Sequence, residues 1–271
     1  MRRRLILFDV DDTIIDHSAQ KSEIPKATSK AIQLLQEKGH IVGLATGRSK
    51  AHIKHIMELL DMDTAVSFGG HIVTLYGKEI YRHTLDVEDV NKLIKKTYKT
   101  LFPVVCFDEN NIYVKDFFGR VKHALYKETN TLLGEELVTD ITPMKKLGKT
   151  KREYLAMMVF KNKIKHPEQY KHLDFNPWGN QGYEVYAKGV SKLSGIEILA
   201  KMLNIGMEDV YVFGDNYNDI HMLKNIKNST AVGNGVAAAK EVASYVSPPI
   251  NEGGIMTACI ELGLLDESDN V

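Results

Sequence analysis

Two aspartates directly after a short apolar run are the residues of this sequence best suited to chemistry. The run is Leu5–Phe8, and Asp9 and Asp11 follow it in Phe8-Asp-Val-Asp-Asp-Thr13. Residues two apart in an extended segment point the same way, so both carboxylates can face one ligand. Two neighbouring carboxylates repel unless a cation lies between them or one holds a proton. The pair predicts a nucleophile beside a metal ion and an acid, or else a turn with capping aspartates.

A second acidic segment follows another apolar run. The run Val210–Phe213 leads into Gly214-Asp-Asn-Tyr-Asn-Asp219, in which Asp215, Asn218 and Asp219 offer oxygen ligands. Mg²⁺ prefers oxygen ligands, and it is usually held by a few carboxylates, water and substrate phosphate. The segment therefore predicts a Mg²⁺ site, or else an acidic loop that caps the following helix.

Two further segments have residues that can bind an anion. The segment Ala45-Thr-Gly-Arg-Ser49 follows a third apolar run. There, the hydroxyl of Thr46 and the backbone around Gly47 and Arg48 are typical of an oxyanion site at the start of a helix. Lys192 lies near the start of another predicted helix, although a single lysine is usually an exposed surface residue. Each segment carries little information alone.

The elements that must position these residues are short strands and amphipathic helices in alternation. Apolar runs without polar alternation are typical of strands buried on both faces of a parallel sheet. They are Leu5–Phe8, Ile41–Ala45 and Val210–Phe213, with weaker copies at Ala65–Phe68 and Thr230–Val232. Helical patterns lie between them: one opened by Pro25 and ended near Gly39, one around Ile53–Leu60, and one around Leu193–Leu203 with Ser191 as N-cap. The pattern predicts an α/β fold, a doubly wound and mainly parallel sheet whose carboxyl edge holds the ligand.

The middle of the chain has a different pattern. Strands are predicted at Val104–Phe107, Ile112–Val114, Leu155–Phe160 and Tyr183–Tyr186, with a hairpin turn at Asp108–Asn111. Helices are predicted at Val87–Thr100, Gly119–Leu133 and Pro167–Leu173. We therefore expect a discontinuous first domain, 1–81 and 187–271, and an inserted α+β domain at 82–186.

Composition excludes several classes of protein. The 271 residues contain 35 Lys and Arg and 35 Asp and Glu, which argues against a dedicated binder of nucleic acid or of an anionic membrane. The two cysteines cannot form a disulfide framework, which suits a reducing compartment. No apolar run approaches the roughly 20 residues that cross a bilayer. We predict a cytoplasmic protein.

Two other segments have simpler interpretations. Gly233-Asn-Gly-Val-Ala-Ala238 fits a dinucleotide-binding fingerprint, but no clear strand–helix–strand unit follows it. A tight turn into a helix is the preferred interpretation. The basic run Lys145–Arg152 is interpreted as a solvated loop, with attraction of an anionic substrate as the alternative.

The motifs FDVDDT, ATGRS, KGVSK and GDNYND occur in this order, each where a predicted strand or helix begins or ends. In this combination the chain resembles the haloacid dehalogenase superfamily of phosphotransferases. It looks most like the Cof-type sugar-phosphatase branch, whose large α/β cap lies between the second and third motifs, as 82–186 does here. GNGVAAAKEVASYV and NEGGI are also similar to the family, so the resemblance covers nearly the whole chain.

The resemblance implies a role for each matched residue. Asp9 would be the nucleophile that forms an aspartyl-phosphate, and Asp11 the general acid and then base. Thr46 would bind the transferring phosphoryl group, with Gly47 and Arg48 beside it. Lys192, and not Lys188, matches the lysine of the third motif.

The same resemblance implies a metal site and one departure from the family. Asp215 would bind Mg²⁺ with Asp9 and the backbone carbonyl of Asp11, and Asn218 and Asp219 would complete and orient the site. Asn218 would also contact the substrate. Where the family often has Ser-Phe-Asn-Gly, this chain has Ser67-Phe-Gly-Gly70, so a side chain that might contact the substrate is missing.

The sequence thus predicts a Mg²⁺-dependent phosphatase for a small phosphorylated metabolite such as a sugar phosphate. A phosphomutase of the same superfamily is one alternative. It would need cap arginines for a second phosphate, and the candidates are Arg82, Arg120 and Arg152. The other alternative is a phospho-accepting switch or binding protein without enzyme activity. Such a protein needs neither a cap nor an acid at Asp11, which argues against it.

Overall fold

The computed structural model describes most of the chain, which forms two compact units. The described residues are 2–18, 22–97, 104–109, 111–114, 140–143, 151–160, 164, 166–178 and 182–270. The first unit contains Met1–Arg48, Ile53–Tyr81 and Ser191–Val271, and the second contains Ser49–His52 and Arg82–Val190.

The first unit is built on a sheet of eight strands. In spatial order they are Tyr245–Val246, Asn228–Ala231, Val210–Gly214, Leu5–Phe8, Ile41–Ala45, Ala65–Ser67, Ile72–Leu75 and Lys78–Arg82. Neighbours among the first six pair in parallel, and Ile72–Leu75 pairs antiparallel with Ala65–Ser67. The central strand Leu5–Phe8 is fully buried, which explains its four consecutive apolar residues.

Helices alternate with these strands along the chain. They are Lys26–Glu37, Lys50–Leu59, Lys192–Leu203, Ile220–Asn225, Ala237–Val242 and Gly254–Glu261, with 3₁₀ turns at Phe68–Gly70, Met207–Asp209, Tyr217–Asp219, Ile250–Glu252 and Glu267–Asn270. Lys26–Glu37 packs against Gly254–Glu261 and the strand Ile41–Ala45. The predicted α/β fold with a mainly parallel sheet is confirmed. No helix in the described ranges is long and apolar enough to cross a membrane.

The second unit contains a sheet of six strands and one long helix among its described residues. In spatial order the strands are Leu173–Trp178, Gly182–Ala187, Ala156–Phe160, Val104–Phe107, Asn111–Val114 and Asp140–Pro143. Neighbouring strands in this order pair antiparallel, except the last two, which pair in parallel. The helix Val87–Thr97 buries Val90, Leu93 and Ile94 in the core of this unit. A 3₁₀ turn lies at Pro167–Gln169.

Most local predictions in this unit are confirmed, and one is wrong. The predicted hairpin turn is present, since the Asp108 backbone N–H donates to the carbonyl of Asn111 at 3.1 Å. A helix over Pro167–Leu173 is wrong: only one 3₁₀ turn forms, and Tyr170 is extended with φ −103° and ψ 90°. Tyr170 is instead buried and packs edge-on against Phe175 at 5.5 Å.

Tertiary pairing therefore overrides the local helical pattern there, because Leu173 begins a strand that pairs with Gly182–Ala187. The predicted helix Val87–Thr100 ends at Thr97 within the described part, and its last three positions lie outside it. The predicted helix Gly119–Leu133 and most of the basic run Lys145–Arg152 also lie outside the described residues.

Candidate active site

Three aspartates come together at the carboxyl edge of the parallel sheet. Asp9 follows Leu5–Phe8 and Asp215 follows Val210–Gly214, and these two strands are adjacent and parallel. The backbone N–H of Asp9 donates to the carbonyl of Phe213 at 2.9 Å, which continues the pairing into the site. Carboxylate oxygens of Asp9, Asp215 and Asp219 all lie within 4.8 Å of one another, and all three residues are buried.

Lys192 supplies a buried positive charge to this cluster. Its Nζ donates to Oδ1 of Asp9 at 2.5 Å and to Oδ1 of Asp219 at 2.6 Å, and the residue is 3% exposed. It is the first residue of the helix Lys192–Leu203. Ser191 caps that helix by accepting the N–H of Ser194 at 3.2 Å. Lys188 is exposed, whereas Lys192 is buried and contacts Asp9 directly.

The charges of the cluster are not balanced by Lys192 alone. Burial raises the pKa of Asp9 to about 7 against the opposing effect of Lys192, and the charges of Asp219 and Asp11 raise it further. Burial and repulsion by Asp9 and Asp219 raise the pKa of Asp215 to about 8. Burial would lower the pKa of Lys192, but Asp219 and Asp9 hold it above its usual range. A cation at these oxygens would relieve the repulsion.

The donor set of the cluster fits a hard cation, because it contains only oxygen atoms. Asp219 is the most firmly held member: its Oδ2 accepts the backbone N–H groups of Asp215 at 3.0 Å and Asn216 at 3.1 Å. The carboxylate of Asp215 accepts one hydrogen bond from the described residues, from the hydroxyl of Thr13 to Oδ1 at 2.9 Å. Asp9 and Asp215 therefore have the more available oxygens, and Asp219 mainly fixes Lys192 and the loop.

The glycine-rich turn Gly233–Ala238 contacts the backbone of Asp215. The backbone N–H of Val236 donates to the carbonyl of Asp215 at 2.8 Å. A Cβ at Gly235 would lie 2.7 Å from that same carbonyl oxygen, so only glycine allows this approach. The helix Ala237–Val242 follows at once. The interpretation as a tight turn into a helix is confirmed.

Asp11 lies beside the cluster, and the side chains of Arg48 and His17 hold its carboxylate. Its Oδ2 accepts from Nε of Arg48 at 2.9 Å, and its Oδ1 accepts from Nη2 of the same guanidinium. Nε2 of His17 lies 3.0 Å from Oδ1. Burial would raise the pKa of Asp11, but the bonds from His17 and Arg48 hold it well below its usual range. Arg48, predicted to contact substrate, contacts Asp11 in this structure.

The other predicted site residues lie on the turns around the cluster. Thr46 is buried, and its Oγ1 accepts the backbone N–H of Arg48 at 3.1 Å. Gly47 is half-buried between them. Asn218 is next to Asp219, and its Oδ1 is buried with no hydrogen-bond partner in the described part of the chain. A buried acceptor without a partner is costly, which favours a ligand or water at this atom.

The turn Phe68–Gly70 connects two of these segments. The N–H of Phe68 donates to the carbonyl of Arg48 and that of Gly69 to the carbonyl of Thr46, both at 2.9 Å. Gly70 has φ 108°, and a Cβ there would lie 2.1 Å from the carbonyl oxygen of Ser191. The turn therefore contacts both the Thr46 segment and the start of the Lys192 helix.

Comparison with known proteins identifies the family. The family model described as "haloacid dehalogenase-like hydrolase" matches residues 6–258. The chain belongs to this family. It is therefore a hydrolase by family and fold, and the family and enzyme class predicted from the sequence are confirmed.

Two relatives and one solved structure show how far the similarity extends. "Putative phosphatase YkrA" of Bacillus subtilis (strain 168) is 32% identical over 98% of this chain and 100% of its own. The "5-amino-6-(5-phospho-D-ribitylamino)uracil phosphatase YcsE" of the same organism is 24% identical, with 94% of each chain covered. The structure of the haloacid dehalogenase "Subclass IIB Sugar Phosphatase BT4131" superposes with a TM-score of 0.83 at 26% identity, covering 97% of this chain and 100% of that one.

Sequence reasoning missed His17. A lone histidine six residues after Asp11 has no distinctive spacing, and only the folded turn brings its ring to the carboxylate.

Proposed function

We propose that the chain is a Mg²⁺-dependent phosphatase that hydrolyses a small phosphorylated metabolite through an aspartyl-phosphate on Asp9. The observation that carries the proposal is the contact of buried Asp9 with Lys192, in an oxygen-only cluster with Asp215 and Asp219. The names of YkrA and YcsE support a phosphatase, and that of BT4131 supports a sugar phosphate as the substrate class.

We assign the catalytic core to 1–81 and 187–271 and a substrate-selecting cap to 82–186. The compact units of the chain support this division, because every residue of the cluster lies in the first. Asp9 and Asp215, with the backbone carbonyl of Asp11, would hold Mg²⁺, and Asn218 and Asp219 would complete and orient the site. Bound there, the ion would supply positive charge to the phosphoryl oxygens.

In the first step an Oδ of Asp9 attacks phosphorus, and the bond from phosphorus to the ester oxygen breaks. Lys192 and the hydroxyl of Thr46 stabilise the charge on the equatorial oxygens, which is most of what phosphoryl transfer requires. Asp11 gives its proton to the departing alkoxide. Because Arg48 and His17 hold Asp11 as an anion, we propose that substrate binding weakens the Arg48 contact before Asp11 takes up this proton.

In the second step a water molecule attacks the phosphorus of the aspartyl-phosphate. Asp11, now an anion, accepts the proton of that water, and the bond from phosphorus to Asp9 breaks. Inorganic phosphate leaves, Asp9 is again a free carboxylate, and Asp11 carries the proton that the next leaving group needs. Two steps through a covalent intermediate replace a single difficult attack by water.

A screen of phosphorylated metabolites for phosphate release in Mg²⁺ tests the proposal, with Asp9→Asn as the matched inactive variant. We expect release from one or more sugar phosphates by the wild type and almost none by the variant. Release from no substrate would contradict the phosphatase assignment. Isomerisation of a sugar phosphate without net release would instead indicate a mutase.

The contacts of the described cap arginines do not favour a mutase. Arg82 pairs with Glu109 at 2.6 Å, and Arg152 pairs with Asp108 at 3.1 Å. Arg120 lies outside the described residues.

A further inference from the structure

His17 is held at both nitrogens of its ring, and one of them contacts Asp11. Nε2 lies 3.0 Å from Oδ1 of Asp11, and Nδ1 lies 2.8 Å from Oγ of Ser22. An ionised carboxylate only accepts hydrogen bonds, so Nε2 carries the hydrogen. In the neutral ring Nδ1 then accepts from the Ser22 hydroxyl. The two contacts fix the rotation of the ring as well as its position.

The backbone on either side of His17 is also fixed. Asp16 and Glu23 form two backbone hydrogen bonds, of 2.8 and 3.2 Å, which bring the chain at Ser22 back beside His17. Oδ1 of Asp16 accepts the backbone N–H of Ser18 at 2.8 Å and its hydroxyl at 2.6 Å. His17 thus follows a backbone position that is fixed by its pairing with Glu23, and its side chain is 23% exposed.

His17 and Arg48 approach the Asp11 carboxylate as complementary donors. Arg48 binds both oxygens through its planar guanidinium, and His17 adds a bond to Oδ1. If Arg48 alone held Asp11, release by Arg48 would leave the carboxyl group free to rotate. With His17 in place, one oxygen stays fixed while the other is available.

We propose that His17 is a positioning residue, held by Ser22, that keeps the Asp11 carboxyl group aimed at the leaving oxygen when Arg48 disengages. The inference rests on the proposed function, because it gives Asp11 the role of proton donor. His17 contacts neither substrate nor phosphorus in this scheme. Substitution of His17 should therefore slow the cleavage only of esters whose leaving group needs the proton of Asp11.

Two substitutions of His17 separate the contacts of its two nitrogens. The amide of glutamine reaches as far as Nε2 and can donate to Asp11, whereas that of asparagine reaches only as far as Nδ1. His17→Asn is therefore expected to lose the Asp11 contact, and His17→Gln to keep it. His55→Ala is the matched histidine control, because His55 is exposed on the helix Lys50–Leu59.

The experiment measures single-turnover cleavage of 4-nitrophenyl phosphate and of the sugar phosphate that the wild type hydrolyses fastest. A misplaced catalytic group can cost about 10²-fold in rate. We expect His17→Asn to slow sugar-phosphate cleavage by about 10- to 100-fold with KM unchanged, and to leave nitrophenol release within about threefold. His17→Gln should recover most of the loss, and His55→Ala should match the wild type.

A double-mutant comparison separates positioning from general destabilisation. In an Asp11→Asn background, His17→Asn should cause no further loss, because the group that it positions is absent. Three results would overturn the inference and leave the proposed function standing. They are equal losses for the two esters, equal rates for the asparagine and glutamine variants, and a full additional loss in the Asp11→Asn background. Wild-type protein that cleaved neither ester would overturn the proposed function, and this inference with it.

Discussion

Replacing Lys192 with methionine removes the one ammonium that contacts the acidic cluster within the described part of the chain, while it nearly preserves side-chain volume. In the structure this ammonium donates to Asp9 at 2.5 Å and to Asp219 at 2.6 Å, and all three residues are buried. The substitution therefore leaves two buried carboxylates without their shared partner. Lys188→Met is the matched control, because Lys188 is exposed in the same motif and lies in the second unit.

The expected magnitudes differ for activity and for stability. Loss of one preorganised electrostatic group typically lowers kcat by about 10²–10³-fold. Loss of one partner of a buried ion pair typically costs about 3–5 kcal/mol of unfolding free energy. Protonation of Asp9, whose pKa is raised to about 7, would offset part of that cost at low pH. Mg²⁺ would offset part of it at any pH where it binds.

The assay is denaturant unfolding of wild type, Lys192→Met and Lys188→Met at about pH 6 and pH 8, each in Mg²⁺ and in chelator, together with kcat for the best substrate. We expect the stability deficit of Lys192→Met to be largest at the higher pH in chelator and smallest at the lower pH in Mg²⁺. Lys188→Met should differ little from wild type throughout. A deficit independent of both pH and metal, or equal effects of the two substitutions, would refute the electrostatic role assigned to Lys192.

Three further predictions concern the same site. Asp11→Asn is expected to slow single-turnover cleavage of a sugar phosphate by about 10²–10⁴-fold. Cleavage of 4-nitrophenyl phosphate should slow far less, because nitrophenolate leaves without a proton. Equal losses for the two esters would exclude Asp11 as the proton donor. Excess chelator is expected to abolish turnover, and Ca²⁺ to restore little of it, because its looser coordination does not hold the in-line geometry; full turnover in chelator would contradict the metal assignment. The stability gained in Mg²⁺ relative to chelator is expected to grow as pH rises through about 7 to 8, because Asp9 and Asp215 have pKa values raised to about 7 and about 8. Without metal, the folded state binds protons that the unfolded chain has lost, so its stability falls as pH rises. A stability difference between Mg²⁺ and chelator that does not change with pH would argue against the raised pKa values of Asp9 and Asp215.

The sequence contains enough information to predict the sheet that positions the site. Leu5–Phe8 and Ile41–Ala45 are strands with the predicted bounds, because short apolar runs bounded by polar residues are typical of strands buried on both faces. The placement of Asp9 and Asp215 at one edge follows from the parallel pairing of their strands. Ser191 was predicted as an N-cap, and it caps the Lys192 helix.

Features that depend on contacts distant in sequence were not predictable. The segment after Pro167 has a helical pattern, but pairing of Leu173–Trp178 with a later strand decides its conformation. The strands Ile72–Leu75 and Lys78–Arg82 were missed, although both join the sheet. The contact of Arg48 with Asp11, 37 residues away, and that of His17 with Asp11 arise only when the turns fold together.

The measurement that tests the central claim most directly is the location of the phosphoryl group during turnover. Enzyme mixed with substrate in Mg²⁺ is quenched in acid, digested and analysed by mass spectrometry. We expect one phosphoryl group on the peptide that contains Asp9, more of it in Asp11→Asn with 4-nitrophenyl phosphate because the second step lacks its base, and none in Asp9→Asn. A phosphoryl group on another residue, or an Asp9→Asn variant that retains a large share of wild-type kcat, would contradict the account.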